Sequence, residues 1–132
     1  MKLSTYLTIT GVLGMLFGVC FLLVPQITLP LYGMPADPHT LMLNRYFGAT
    51  LGWLGLMVWL ARHVRDGAAI RAILQGSAIG NVVGALLSVW AALSGLQNAM
   101  AWTSVAIYTL LLLGALYFLA SPERSGSAAR AA

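Results

Sequence analysis

Apolar residues run almost unbroken through four stretches, 3–24, 41–61, 68–93 and 99–120, and polar or charged residues collect in the gaps between them. Each stretch reaches the ~20 residues that a helix needs to cross a ~30 Å hydrocarbon layer. None shows the two-residue alternation of a barrel strand, and a backbone surrounded by lipid must satisfy its hydrogen bonds within itself. The pattern predicts an all-α chain, an integral membrane four-helix bundle. One transmembrane domain would occupy 1–120, and a small, polar tail at 121–132 is expected to be mobile.

Composition strengthens this reading. Of 132 residues, 60% are hydrophobic and 8% charged, against about 25% charged in soluble domains. There is too little polar surface to cover a water-soluble fold. The first apolar run follows Lys2 but is longer than the core of a secretion signal. It also ends in FLLVPQITLP without a small-residue cleavage site, so a retained helix is expected.

The charge distribution sets an orientation. Lys2, Arg62, Arg65, Arg71, Arg124 and Arg130 fall on one side of the four predicted crossings, and only Arg45 falls on the other. The excess of basic residues marks the cytoplasmic side, which gives an N-in/C-in chain in the cell inner (cytoplasmic) membrane. Clustering at segment ends explains the net charge of +4 without a nucleic-acid partner. Trp90 and Trp102 near the outer turn, and Tyr6, Trp59 and Tyr117 near the inner boundary, suit aromatic belts. The first outer loop, 25–40, holds four of the five prolines and is expected to lie at the interface as a cap on the bundle.

Small residues recur at helical spacing. Gly11, Gly14 and Gly18 continue a stripe begun by Ser4 and Thr8. Gly48, Gly52 and Gly55 lie between Arg45 and Trp59, and Gly76, Gly80 and Gly84 recur every four residues. In membranes such stripes let neighbouring backbones approach, so all nine glycines are expected at helix contacts, within or between chains. A stripe could also leave room for a lipid tail or a ring.

Arg45 shares the glycine face of its segment, which would turn it inward or along a helix seam. At ~1.5 Å per residue it lies about 9 Å outward of the midplane. Ser88 and Ser104 fall at about that height, whereas Asn81 and Tyr108 sit nearer the middle. Arg45, Asn44, Ser88, Ser104, Asn81 and Tyr108 are therefore the candidate ligand-binding residues, around a polar slot for an anionic or carbonyl-bearing amphiphile. Two simpler readings stand beside this. Arg45 could snorkel outward to a phosphate headgroup or to Asp37, and Asn81 could hydrogen-bond a neighbouring helix.

Other chemistry is thinly represented. Cys20 is the only cysteine and suits a small apolar filler. His39 and His63 belong to opposite sides, about 30 Å apart, and would not ligate one metal within a monomer. No carboxylate lies inside an apolar stretch, which weakens a proton-coupled transporter. No nucleotide-binding fingerprint is present. The residues thus suggest no catalytic group, no metal site and no cofactor.

The four-helix plan, the VPQITLPLYG loop and the NRYFGATLGWLGL segment resemble DoxX-like small bacterial membrane proteins and their uncharacterised relatives, over roughly residues 3 to 120. That resemblance implies at most a link to quinone-linked oxidation, with no catalytic residue to carry over. The expected function is a non-enzymatic polytopic membrane protein that binds a lipid-like ligand or supports a larger membrane complex. A small membrane enzyme or redox subunit acting on a quinone- or sterol-like substrate, and an oligomeric transporter, are the alternatives. Expected partners are membrane lipids, an amphiphilic ligand and a homo-oligomer or larger complex.

Overall fold

A computed structural model describes residues 2–121; the expected mobile tail, with Arg124 and Arg130, lies outside the described residues apart from Ser121. Five α-helices follow one another: α1 (Leu3–Leu23), α2 (Pro25–Leu31), α3 (Pro38–Leu60), α4 (Gly67–Leu93) and α5 (Ala101–Ala120), with a single 3-10 turn at Ala61–His63. No strand occurs among the described residues. Leu3–Leu23, Gly67–Leu93 and Ala101–Ala120 are long and apolar enough to cross a membrane. By the same measure α3 falls short, because Asn44, Arg45 and its glycine, tryptophan and tyrosine positions dilute its apolar side chains.

Local chemistry sets the boundaries. Pro25 takes the first position of α2, where its missing N–H is not needed. This turns part of the proline-rich loop into a short helix. Pro38 does the same for α3, and the Asp37 side chain caps it by accepting from the amides of His39 (3.0 Å) and Thr40 (3.2 Å). That cap starts α3 three residues earlier than the hydrophobic pattern suggests. Asp66 caps α4 in the same way through Ala68 and Ala69. At α5, Asn98 Oδ1 accepts from the Met100 amide and holds the chain in a turn until Ala101.

The four long helices pack as two pairs. α1 lies along α3, α4 lies along α5, and between the pairs α1 meets α5 only briefly while α3 and α4 hardly touch. Glycine is the reason for the first pair. A Cβ on Gly48 would lie 2.5 Å from the Leu22 nitrogen, one on Gly55 2.6 Å from the Met15 nitrogen, and one on Gly11 2.6 Å from Trp59 Cβ. Gly14 and Gly18 meet Gly55 and Gly52 in the same way. The two backbones touch, and no side chain larger than hydrogen fits between them. The second pair uses glycine differently. Gly84 accepts the face of the Tyr108 ring, where a Cβ would sit 2.7 Å from ring carbon Cε1.

Gly76 and Gly80 depart from the expected role. A Cβ at either would meet nothing within 4 Å. They do not pack a helix because α3, the nearest candidate, is held away by its contact with α1.

The pairs are joined at their ends. At the basal end, Tyr6 and Leu7 of α1, Ile70, Leu74 and Ala78 of α4, and Ala115 and Phe118 of α5 form the main core cluster. Tyr6 lies against Gly114 and donates its hydroxyl to the Leu111 carbonyl at 2.7 Å. Lys2, Arg62, Arg65 and Arg71 belong to this end, and Arg62 stacks on Trp59 with its guanidinium carbon 3.6 Å from the ring centre.

Two outcomes test this account. Gly18→Ala or Gly55→Ala should lower stability by at least about 2 kcal/mol through overpacking. Gly76→Ala should be neutral or stabilising by up to about 1 kcal/mol. Thermal unfolding of the purified variants in one detergent measures both, and equal loss at all three sites would contradict the packing described. The Asp37 carboxyl is held below its ordinary range, chiefly by the Thr40 hydroxyl and then by the Thr40 and His39 amides. A lowered folded-state value means that the cap contributes above pH ~4, the usual unfolded value, and is lost as pH falls through the folded one. The protection of the His39 and Thr40 amides, measured relative to their intrinsic exchange rates, should therefore fall on acidification, and in Asp37→Ala it should be low at every pH.

Candidate functional site: a cavity between the helix pairs

Because the pairs meet only at their ends, a cavity of about 680 Å³ opens between them. From the first pair come Leu13, Phe17 and Phe21 of α1 and Phe47, Leu51, Leu54 and Val58 of α3. The second pair contributes Ile73, Gly76, Ser77, Gly80, Asn81 and Ser88 of α4 and Ser104, Ile107, Tyr108 and Leu111 of α5. Among the described residues, no charged side chain lines it. Phe21 is the hub of the aromatic wall, with ring centres 5.6 Å from Phe47, 6.1 Å from Phe17 and 6.2 Å from Tyr32.

The apical end is closed by the segment that follows α1. Pro25, Thr28 and Leu29 of α2 are buried, and Thr28, Leu29, Tyr32 and Met34 face the cavity. The turn between α4 and α5 fastens this cover. The Asn98 amide donates to the Tyr32 carbonyl and Asn98 Nδ2 to the Leu31 carbonyl, both at 2.9 Å. Gln97 Nε2 approaches Met34 Sδ at 3.3 Å, and the Ser104 hydroxyl donates to the Tyr32 hydroxyl oxygen at 3.4 Å. Gly33 takes φ +74° beside Asn98, a left-handed conformation that suits glycine.

Of the six residues singled out from sequence, Asn44, Asn81, Ser88, Ser104 and Tyr108 line this one space. Their surroundings divide them. Asn44 Nδ2 donates to the Phe21 carbonyl (3.3 Å) and to Thr28 Oγ1 (3.4 Å), so it ties α3 to α1 and α2. Ser104 is engaged with Tyr32. Asn81 is only 8% exposed, yet among the described residues its side chain has no hydrogen-bond partner. The interhelical bond expected for it is not made. The side chains of Ser77, Ser88 and Tyr108 likewise have no hydrogen-bond partner among the described residues, although the Tyr108 ring packs on Gly84.

Arg45 requires a correction. It is exposed, lies outside the cavity wall and makes no ion pair among the described residues. At 3.6 residues per turn, the face of α3 carrying Phe47, Leu51, Leu54 and Val58 is centred about 150° around the helix from Arg45. The glycine stripe does face inward, but toward α1, and Arg45 stands at its edge on the side away from the cavity. Asp37 is no partner for it either, since both carboxylate oxygens serve the start of α3.

Sequence reasoning expected the 25–40 loop to cap the bundle but missed the aromatic wall and the side chains by which the cover is fastened. Phe17 and Phe21, four residues apart on the first segment, and Tyr32 in an otherwise aliphatic loop were the available signals. Comparison of the chain with protein-family models, with curated proteins and with solved structures found no match.

Proposed function

We propose that the chain is a multi-pass protein of the inner membrane that binds a lipid-like molecule between its two helix pairs, without catalysing a reaction itself. The observation that carries this reading is the apolar cavity, built within one chain and closed at both ends by specific contacts. Its volume falls within the ~300–1,000 Å³ typical of small-molecule sites. Its walls of leucine, isoleucine and phenylalanine match hydrocarbon, so an acyl chain or another apolar group is the occupant this space suits.

The topology offered with this reading is four crossings, with both termini and the basal end on the cytoplasmic side. Lys2, Arg62, Arg65 and Arg71 at that end support it through the bias of basic residues toward the cytoplasm. In this arrangement α3, the least apolar long helix, crosses with its glycine face covered by α1. Arg45 then stands near the outer boundary, within reach of lipid headgroups.

Gly76 and Gly80 give a direct test, since each has room for a side chain that would grow into the cavity. Gly76→Leu and Gly80→Leu should unfold at or above the wild-type temperature yet carry less of the lipid that co-purifies with the wild-type chain, as read by native mass spectrometry. Equal occupancy in all three proteins would refute the binding reading. Thiol labelling of cysteines introduced at residues 2 and 121 tests the topology. Both should react only from the cytoplasmic side, and opposite sidedness would refute the four-pass arrangement.

A further inference from the structure

The polar groups around the cavity fall into two sets, and the division points to the chemistry of the occupant. At the apical end the polar side chains are used by the protein itself. Asn44 serves the Phe21 carbonyl and Thr28, Thr28 reaches the Pro25 carbonyl, Ser104 donates to Tyr32, and Gln97 reaches Met34. Along α4 they are not, and Thr10 Oγ1 of α1, a buried atom on the cavity wall, also lacks a partner among the described residues. Ser77, Asn81 and Ser88 share one helical face that lines the cavity, and Tyr108 stands opposite, its ring fixed over Gly84 one turn from Asn81. None of the four side chains has a hydrogen-bond partner among the described residues. Asn81 is the most enclosed of them, and its carboxamide lines the cavity with its hydrogen-bonding capacity unused, available to a polar group that arrives there.

We infer that the cavity selects an uncharged lipid carrying a hydroxyl or carbonyl group, and that Asn81 binds that group at mid-depth, with Ser77, Ser88 and Tyr108 as neighbouring donors and acceptors. This deepens the binding reading above and rests on it. A carboxamide both donates and accepts, so it pairs equally well with an alcohol or a carbonyl. The rest of the wall sets the charge. With no lysine, arginine, histidine or carboxylate on it, an ionised headgroup brought to the level of Asn81 would find no counter-charge, and burying it unpaired is strongly unfavourable. The hydrogen-bonding groups sit between an aromatic wall and an aliphatic one, which accommodates apolar structure on both sides of the polar group. Ionised headgroups are thereby disfavoured at the level of Asn81.

Three probes with one chain length separate the terms: hexadecane, 1-hexadecanol and hexadecyl sulfate. Each competes with radiolabelled 1-hexadecanol for the immobilised full chain in a scintillation proximity assay, at matched concentration in the same micelles. In the wild type, 1-hexadecanol should compete about tenfold better than hexadecane, the effect of one buried hydrogen bond, and hexadecyl sulfate should compete worst. In Asn81→Leu the advantage of the alcohol should vanish while hexadecane still binds, which also shows that the variant has kept its cavity. If the sulfate competes as well as the alcohol, or alcohol and hydrocarbon are equal in the wild type, the inference is overturned while the binding of apolar molecules stands. If 1-hexadecanol does not bind the wild type at all, both readings fall.

Discussion

Backbone contact between α1 and α3 is the constraint from which the rest of the architecture follows. Six glycines, three on each helix, let the two main chains meet without intervening side chains. Close approach of this kind is the usual driving force for helix association where lipid removes any hydrophobic gain from pairing. Its consequence here is geometric. Once α3 is drawn onto α1, it is no longer available to α4, although α4 follows it directly in the chain. The second pair must then reach the first through its ends, by the Tyr6–Phe118 cluster on one side and the Asn98 turn on the other. The cavity is the space that this arrangement leaves.

The two ends use different physics. The basal contact is side-chain packing, with an aromatic pair at 5.5 Å and a tyrosine seated on glycine. The apical contact is mostly hydrogen bonding to main-chain carbonyls of the segment 31–32. A packed end resists sliding over its whole area, whereas a hydrogen-bonded end holds through a few directed contacts that can break together. The apical cover is thus the more separable of the two junctions, and it borders the aromatic part of the wall.

The helical class and the approximate spans of the four long helices were legible in the sequence, because unbroken apolar runs bounded by proline, glycine and charge leave little choice of structure. That Asn81, Ser88, Ser104 and Tyr108 border one space was also legible, since helical rise converts sequence position into height along neighbouring helices. Azimuth was harder to read. Arg45, Gly48 and Gly52 share a face on a helical wheel, but the wheel does not say which neighbour that face meets. Arg45 was accordingly placed toward the cavity when the face meets α1. The same ambiguity treated all nine glycines alike, although Gly18 is locked against backbone and Gly80 borders open space. The pairing of α1 with α3 decides these cases, and no local pattern in the chain encodes it. The short helix α2 escaped notice because prolines suggest a loop, whereas Pro25 at a first helical position favours a helix.

The long helix that falls short of membrane-spanning apolarity is the one with the closest backbone contact to a helix that reaches it. α3 carries Asn44 and Arg45 and falls short of the apolarity reached by α1, α4 and α5. Asn44 reaches back to the Phe21 carbonyl at the far end of the glycine seam, so part of that polarity is satisfied by α1 as well. Proteins are made from the N-terminus onward, and α1 precedes α3 by fewer than twenty residues. The order of synthesis therefore supplies the sheltering helix first, and the dependent one emerges with its partner already in place.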